Sequence, residues 1–429
     1  MKHIIYQVLT RLWRNGRFSA WDDASFDYVK SLGAGWIWYT GIPRHASGQD
    51  FVKGDPGSPY SICDWKDVNP YLADDPERRL EEFRGLVART HRAGLKLIID
   101  YIPNHVSRDY SGPIRHFDYC DWDWTDTYKN DWGDPATIEA MKDILCWWAS
   151  MGVDGFRCDM VELVPPERLR EVIASVRARY PELLFVAEVY EKRNYGCYLV
   201  YVGFDLLYDK SGMYDTLRAV VCSGESAQAV TRCWQETGGM QPRMLYFLEN
   251  HDEQRLASPQ FAGSPETGYA ALAAAALFNT ASFMLYFGQE TGENAAEGAE
   301  GRTSIFNWCS PRCNSVIDNI LHGNAPDSCS AAVLERYRTI LGYASQPLFA
   351  GGGNWDLGYV NGDSAGFDPA RHFAFIRYTD SRAALVFCNF SGEDASAVLR
   401  IPAEMQEHTH CGIFPVRAGA NDASVYFFE

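Results

Sequence analysis

Eight times within the first 345 residues a short apolar run gives way to a longer segment with helical spacing, and few folds tolerate that rhythm. The runs are Ile4–Leu9, Gly35–Thr40, Leu97–Tyr101, Gly155–Cys158, Leu184–Glu188, Gly203–Leu207, Met244–Glu249 and Phe283–Phe287. Most are bounded by Gly, Pro, Asn or Asp, as strands buried on both faces should be. Between them, Pro76–Gly94 sets Leu80, Phe83, Leu86 and Val87 at helical spacing and stops at a glycine. Pro135–Met151 and Pro166–Tyr180 repeat the pattern. Strand–helix alternation of this kind builds a parallel sheet, and eight units predict an α/β fold, a (β/α)8 TIM barrel over residues 1–345.

Two stretches interrupt the rhythm. Residues 106–134 form a polar, Trp- and Asp-rich short insert after the third strand, and residues 288–312 a Gly-, Glu- and Ala-rich loop after the eighth. Beyond about residue 346 the helical period disappears. His372–Tyr378, Ala383–Phe390, Ala397–Ile401 and Ser424–Phe428 read as strands separated by turns, which predicts a C-terminal antiparallel β domain, a β-sandwich over 346–429.

The longest apolar stretch, Tyr269–Phe278, is far short of the roughly 18 residues a membrane span needs and reads as a packed helix. A net charge of −17 disfavours nucleic acid and anionic membranes as partners. The amino-terminal segment is apolar but broken by Gln7, Thr10 and Arg11 and lacks a cleavage signal, so the expected location is cytoplasmic. The 12 scattered cysteines agree, since they make no compact disulfide framework. Nothing in the sequence fixes an oligomeric state.

In such a barrel, chemistry sits where the strands end. Asp100 closes the third strand, Asp159 follows the fourth, Glu188 ends the fifth and Asp252 follows the seventh. Four carboxylates on one rim repel one another unless a cation, hydrogen bonds or protonation offset the charge. Arg157 stands two residues before Asp159, so strand alternation points both side chains into the same mouth. His105 and His251 accompany the first and last carboxylates.

The local words around these residues form a pattern. Asp100-Tyr101-Ile102-Pro103-Asn104-His105, Gly155-Phe156-Arg157-Cys158-Asp159, Val186-Ala187-Glu188 and Phe247-Leu248-Glu249-Asn250-His251-Asp252 resemble, in order, the four signature segments of the α-amylase family of retaining glycoside hydrolases and transglycosidases. The resemblance implies Asp159 as nucleophile, Glu188 as acid/base and Asp252 as the residue that stabilises the transition state and holds sugar hydroxyls. It implies that Arg157 keeps Asp159 ionised, that Asp100, His105 and His251 serve the substrate subsite, and that Tyr60 stacks on the same sugar. Asp64 is a weaker candidate for the same wall. The family's chemistry needs no cofactor. In many relatives the insert after strand three supplies structural calcium ligands together with the asparagine of the first segment. Asn104 is that candidate ligand here, but no partner set accompanies it, so calcium stays open.

A glycosidic oxygen leaves poorly without a proton, so one carboxyl must stay protonated near neutrality while another, ionised, attacks the anomeric carbon. The leading expectation is cleavage of α-glucosidic bonds, α-1,4 above all, in maltodextrin or starch-derived oligosaccharides through a covalent glycosyl-enzyme. Transfer or isomerisation on maltose, trehalose or sucrose is the alternative, and a non-catalytic glycan-binding protein the third reading. Glu162 and Leu163 stand where relatives often carry Lys or His toward the acceptor, which leaves specificity open. Glu249 should turn away from the mouth by strand alternation. Trp122, Trp124 and Trp132 suit a glucan wall or the packing of the insert, and His408-Thr409-His410-Cys411 alternates like a β-strand rather than a metal site.

Overall fold

The computed structural model describes residues 2–296 and 300–428, so 297–299 of the loop expected at 288–312 lie outside the described residues. Strands β1 (Ile4–Leu9), β2 (Trp36–Thr40), β3 (Lys96–Tyr101), β4 (Gly155–Cys158), β5 (Leu184–Ala187), β6 (Leu206–Tyr208), β7 (Met244–Phe247) and β8 (Ser282–Tyr286) pair in parallel and in chain order. β8 pairs back onto β1, closing the expected (β/α)8 barrel. β1 is buried at all six positions although Gln7 is polar, a sign that this side chain has a partner inside the mouth.

Helices run Arg79–Arg92, Pro135–Ser150 and Pro166–Arg179, within a few residues of the expected spans. Pro135 and Pro166 stand at first-turn positions, where a missing N–H costs nothing, and Asp134 caps the second helix through Ala136 N at 2.8 Å. The expected strand Gly203–Leu207 starts later, at Leu206. A π-helical segment over Cys197–Val202 occupies the approach, and Gly203, at a φ of +96°, ends it.

The carboxy-terminal strands are β9 (Gly353–Asp356), β10 (His372–Tyr378), β11 (Ala383–Asn389), β12 (Ala395–Arg400), β13 (Ile413–Ala418) and β14 (Ala423–Phe428). β9, β10, β11 and β14 form one antiparallel sheet, and β12 and β13 a two-stranded second sheet. Ala374, Ile376, Leu385 and Phe387 from the first meet Ala397, Leu399 and Val416 from the second in an apolar layer. The run His408–Cys411 corrects the strand reading: Ala403–Thr409 is a helix that takes in His408, and His410 terminates it in the left-handed region at φ +54°.

The two parts meet through the alanine-rich helix Tyr269–Leu277, whose positions 270–277 are all buried. Small side chains on every face let backbone approach backbone. Phe278 at its end meets Phe373 and Phe375 of β10 at 4.8 and 5.1 Å, and Arg377 donates to Leu277 O at 3.0 Å. Among the described residues no helix is long and apolar enough to cross a membrane.

Candidate active site

The β3–β4 register sets Asp100 directly beside Arg157, at the carboxyl ends of their strands. Arg157 is the centre of the arrangement. Its Nη1 donates to Asp159 Oδ1 at 2.5 Å and lies 3.8 Å from Asp100 Oδ1, while Nη2 is 2.7 Å from Glu188 Oε1. The guanidinium lies 5.4 Å from the Trp38 and Tyr208 rings and 5.5 Å from Tyr60, so aromatic faces complete its surroundings. One buried cation thus gathers three of the four rim carboxylates.

Their environments differ. Burial pushes the Glu188 carboxyl up to about 7, with Arg157 opposing and Asp159 and Asp252 adding to the rise. Met160 N donates to Glu188 Oε2 at 2.9 Å, and the Tyr190 hydroxyl donates to Oε1 at 3.1 Å. Burial also raises Asp159 and Asp100 above the ordinary carboxylate range, against the pull of Arg157. Burial works in the same direction on Asp252, but His251, 3.0 Å away, and Arg157 outweigh it and hold Asp252 below its usual range.

The other expected residues line the same mouth. Tyr60 stacks on His251 with ring centroids 5.3 Å apart, and its hydroxyl contacts His251 Nε2 and, at 3.4 Å, Asp100 Oδ1. Gln7 reaches His251 Nδ1 at 2.7 Å, which accounts for the polar residue in β1. His105 is buried against Trp124, and burial pulls it down to about 4, so it is neutral near pH 7. Tyr60, His105, Asp159, Glu188 and Asp252 border one cavity of about 250 Å³. Asp100 and Arg157 form its buried floor rather than its wall.

Several contributors escaped the sequence reading: Gln7, Trp38, whose Nε1 donates to Asp100 Oδ2 at 3.2 Å, Tyr190, Lys53 and Phe306. Tyr190 was within reach, since it stands two residues from Glu188. Lys53 and Phe306 come from loops with no local signal. Asp64, expected near the wall, is exposed and accepts from Lys66 N at 2.9 Å instead. Glu249 turns away as strand parity requires, to Arg255 at 3.0 Å and Leu256 N at 2.6 Å. Trp122 and Trp124 meet edge to face at 4.7 Å, whereas Trp132 is buried elsewhere with its Nε1 on Pro103 O. Glu162 accepts from Tyr190 N at 2.8 Å and Asn194 Nδ2 at 2.7 Å, so it braces the loop after β5.

Asn104 is buried, and its Oδ1, the atom a calcium ion would take, has no hydrogen-bond partner among the described residues. Its Nδ2 donates to Asp121 Oδ2 at 2.8 Å, and Lys129 Nζ sits 2.9 and 3.0 Å from the two oxygens of that same carboxylate. An ammonium group already supplies the positive charge there. Among the described residues no cluster of three or more His, Cys, Asp or Glu side chains could hold a metal. Because Lys129 already pairs with Asp121, incubation with excess EDTA is expected to leave both thermal midpoint and turnover unchanged. A fall in either that added calcium restores would refute this.

Comparisons with known proteins bear on the same segments. The family model for the α-amylase catalytic domain matches residues 24–132, a stretch that holds Tyr60, Asp100 and His105 and ends before Asp159. The α-amylase MalA of Haloarcula japonica is 26% identical over 98% of this chain and 60% of its own length. The α-amylase resemblance of the sequence therefore holds. Amino acid transporter heavy chain SLC3A1 of Mus musculus is 27% identical over 42% of this chain, which spans 32% of that protein. The chain thus spans between about a third and three fifths of the length of these curated relatives. Among solved structures, an α-amylase from Lactobacillus plantarum superposes with a TM-score of 0.74 at 22% identity, covering 100% of this chain and 99% of that one. A cyclic α-maltosyl-(1→6)-maltose hydrolase from Arthrobacter globiformis does so with a TM-score of 0.74 at 18% identity, covering 100% and 99%. These likenesses support the α-amylase fold.

Proposed function

We propose that this chain is a retaining glycoside hydrolase that cleaves α-glucosidic bonds, α-1,4 bonds of maltodextrins foremost, with Asp159 as nucleophile and Glu188 as acid/base. One observation carries the reading: a single guanidinium grips both carboxyls, yet Glu188 rises to about 7. The two carboxyls contact one guanidinium, and a retaining mechanism needs its carboxyl pair near each other, about 5–5.5 Å apart.

The roles follow from the environments. Glu188, protonated near neutrality, gives its proton to the departing oxygen. Asp159, paired with Arg157, attacks the anomeric carbon and forms the glycosyl-enzyme. Glu188, now ionised, then draws a proton from the incoming water. Asp252, held anionic, stabilises the positive charge that develops on the sugar. Neutral His105, together with His251 and Tyr60, orients the ring. The intact carboxylate set favours an enzyme over a glycan-binding protein. Its substrate is an α-glucan oligosaccharide, and we place the enzyme in the cytoplasm on the support of its scattered cysteines, whose spacing makes no compact disulfide framework.

The test is maltoheptaose followed by proton NMR. The newly released reducing sugar is expected to appear first as the α-anomer, and a β-anomer would remove the retaining mechanism. Absence of turnover on maltodextrins would remove the substrate. The pH profile checks the acid: because Glu188 must be protonated to act, kcat/KM is expected to fall as pH rises through about 7, about tenfold per unit beyond it. A profile flat to pH 9, about two units above that value, would exclude Glu188 as the acid.

A further inference from the structure

Three loops are laced together on one side of the barrel mouth. From the loop after β2, Gly57 N donates to Phe306 O at 3.1 Å, and Asp55 N to Asn307 Oδ1 at 3.1 Å. In return, Trp308 N donates to Asp55 O at 2.6 Å. These bonds join the β2 loop to the β8 loop in a short antiparallel bridge between Pro56 and Asn307. Beneath the seam, Arg11 at the end of β1 donates to Ile305 O at 2.5 Å. On the other flank the β2 loop is tied to the insert after β3, through Lys53 Nζ on Asp123 O and Ser61 Oγ on Asp126 O at 2.8 Å. Among the described residues these contacts join the β8, β1, β2 and β3 sector along one side of the mouth.

The ring order fixes what that wall faces. In a closed ring of eight, β5 lies opposite β1, and Glu188 directly follows β5. The departing group must leave on the side of its proton donor. Around the cavity, Met160, Tyr190 and Asp252, after β4, β5 and β7, are half-buried; on the laced side Ser58, Tyr60, His105, Asp126 and Thr127 are buried beneath a rim of half-buried Lys53, Trp124 and Ile305 and exposed Phe306. The sugar that stays on Asp159 therefore has the laced loops at its back. The cavity, about 250 Å³, is smaller than the roughly 300–1,000 Å³ of pockets that enclose drug-sized ligands, which suits a single sugar ring behind the scissile bond.

We propose that the site is a blind pocket that admits only the non-reducing terminal sugar of an α-glucan, so the enzyme trims one residue at a time from that end. This rests on the α-glucosidic reading above and adds the end of the chain that is attacked. A strand of glucan crossing the mouth would need the β2–β8 seam to part, with its backbone hydrogen bonds left unmade.

The test uses the full-length protein and maltoheptaose, either native or capped by an ethylidene group at its non-reducing end, with products resolved by chromatography at low conversion. The expected result is glucose and maltohexaose as first products of the native sugar, with the capped sugar cleaved at least about 100-fold more slowly. Capped and native sugars cleaved at similar rates, or maltose and longer fragments released first, would overturn the blind pocket while leaving the α-glucosidic reading in place. No cleavage of either sugar would overturn both.

Discussion

Asp159→Asn is expected to lower kcat/KM on maltodextrins by at least about 10⁴-fold, with the fold and thermal midpoint nearly unchanged. The substitution is isosteric and keeps an oxygen for Arg157, so the buried cluster loses a charge rather than a packing partner. What it removes is the group proposed to form the covalent intermediate. Two companion measurements separate this from a general disturbance. With Asp159 neutral, one of the repulsions that raise Glu188 is gone, so any residual activity should titrate at lower pH than in the wild type. With Asp159→Gly and azide in the buffer, the anion can enter the vacated space and attack from the same face. An α-glucosyl donor with a good leaving group should then yield the β-glycosyl azide. An Asn variant within about tenfold of wild-type activity would assign the nucleophile elsewhere.

The second large effect is on stability. Arg157→Met is expected to cost about 3–5 kcal/mol at neutral pH, since it strands Asp100, Asp159 and Glu188 in a buried site without their shared cation. The methionine fills part of the space among Trp38, Tyr60 and Tyr208, so the loss is electrostatic more than steric. The sign of its pH dependence is decisive. Without Arg157 the carboxyls rise further, so the folded state binds more protons than the unfolded chain between the unfolded and folded values. The deficit should therefore shrink as pH falls toward about 4 and widen as it rises. Guanidinium denaturation of wild type and variant across that range measures it. A deficit independent of pH would mean that packing, not charge, is what Arg157 contributes.

How much of this was legible in the sequence depends on where the physics is local. The barrel was readable because each strand is buried on both faces and carries its own apolar run, and a strand end followed by a carboxylate marks the rim. Leu206–Tyr208 was blurred because a π-helical turn, which has no propensity signature, runs into it. The carboxy-terminal strands Gly353–Asp356 and Ile413–Ala418 were missed because both are edge strands, the first largely half-buried and the second interrupted by Pro415. At the site, the carboxylates and Arg157 at strand ends came through, while Gln7 and Trp38 within strands and Lys53 and Phe306 in loops did not. Phe306 is placed by the backbone bond its carbonyl accepts from Gly57 N, and Lys53 by the reach of its ammonium to Asp123 O in another loop, and no motif records either.

The alanine helix Tyr269–Leu277 has a consequence for how this protein can evolve. With every position from 270 to 277 covered, partly by the barrel and partly by the carboxy-terminal sheet, neither neighbour can be exchanged as an independent cassette. A recombinant that kept the barrel and swapped the sheet would have to reproduce a surface fitted to methyl groups on all sides, including the Arg377 bond to Leu277 O. Novelty in such a lineage is channelled into the rim loops, where an insertion or a broken seam reshapes the mouth without disturbing that joint.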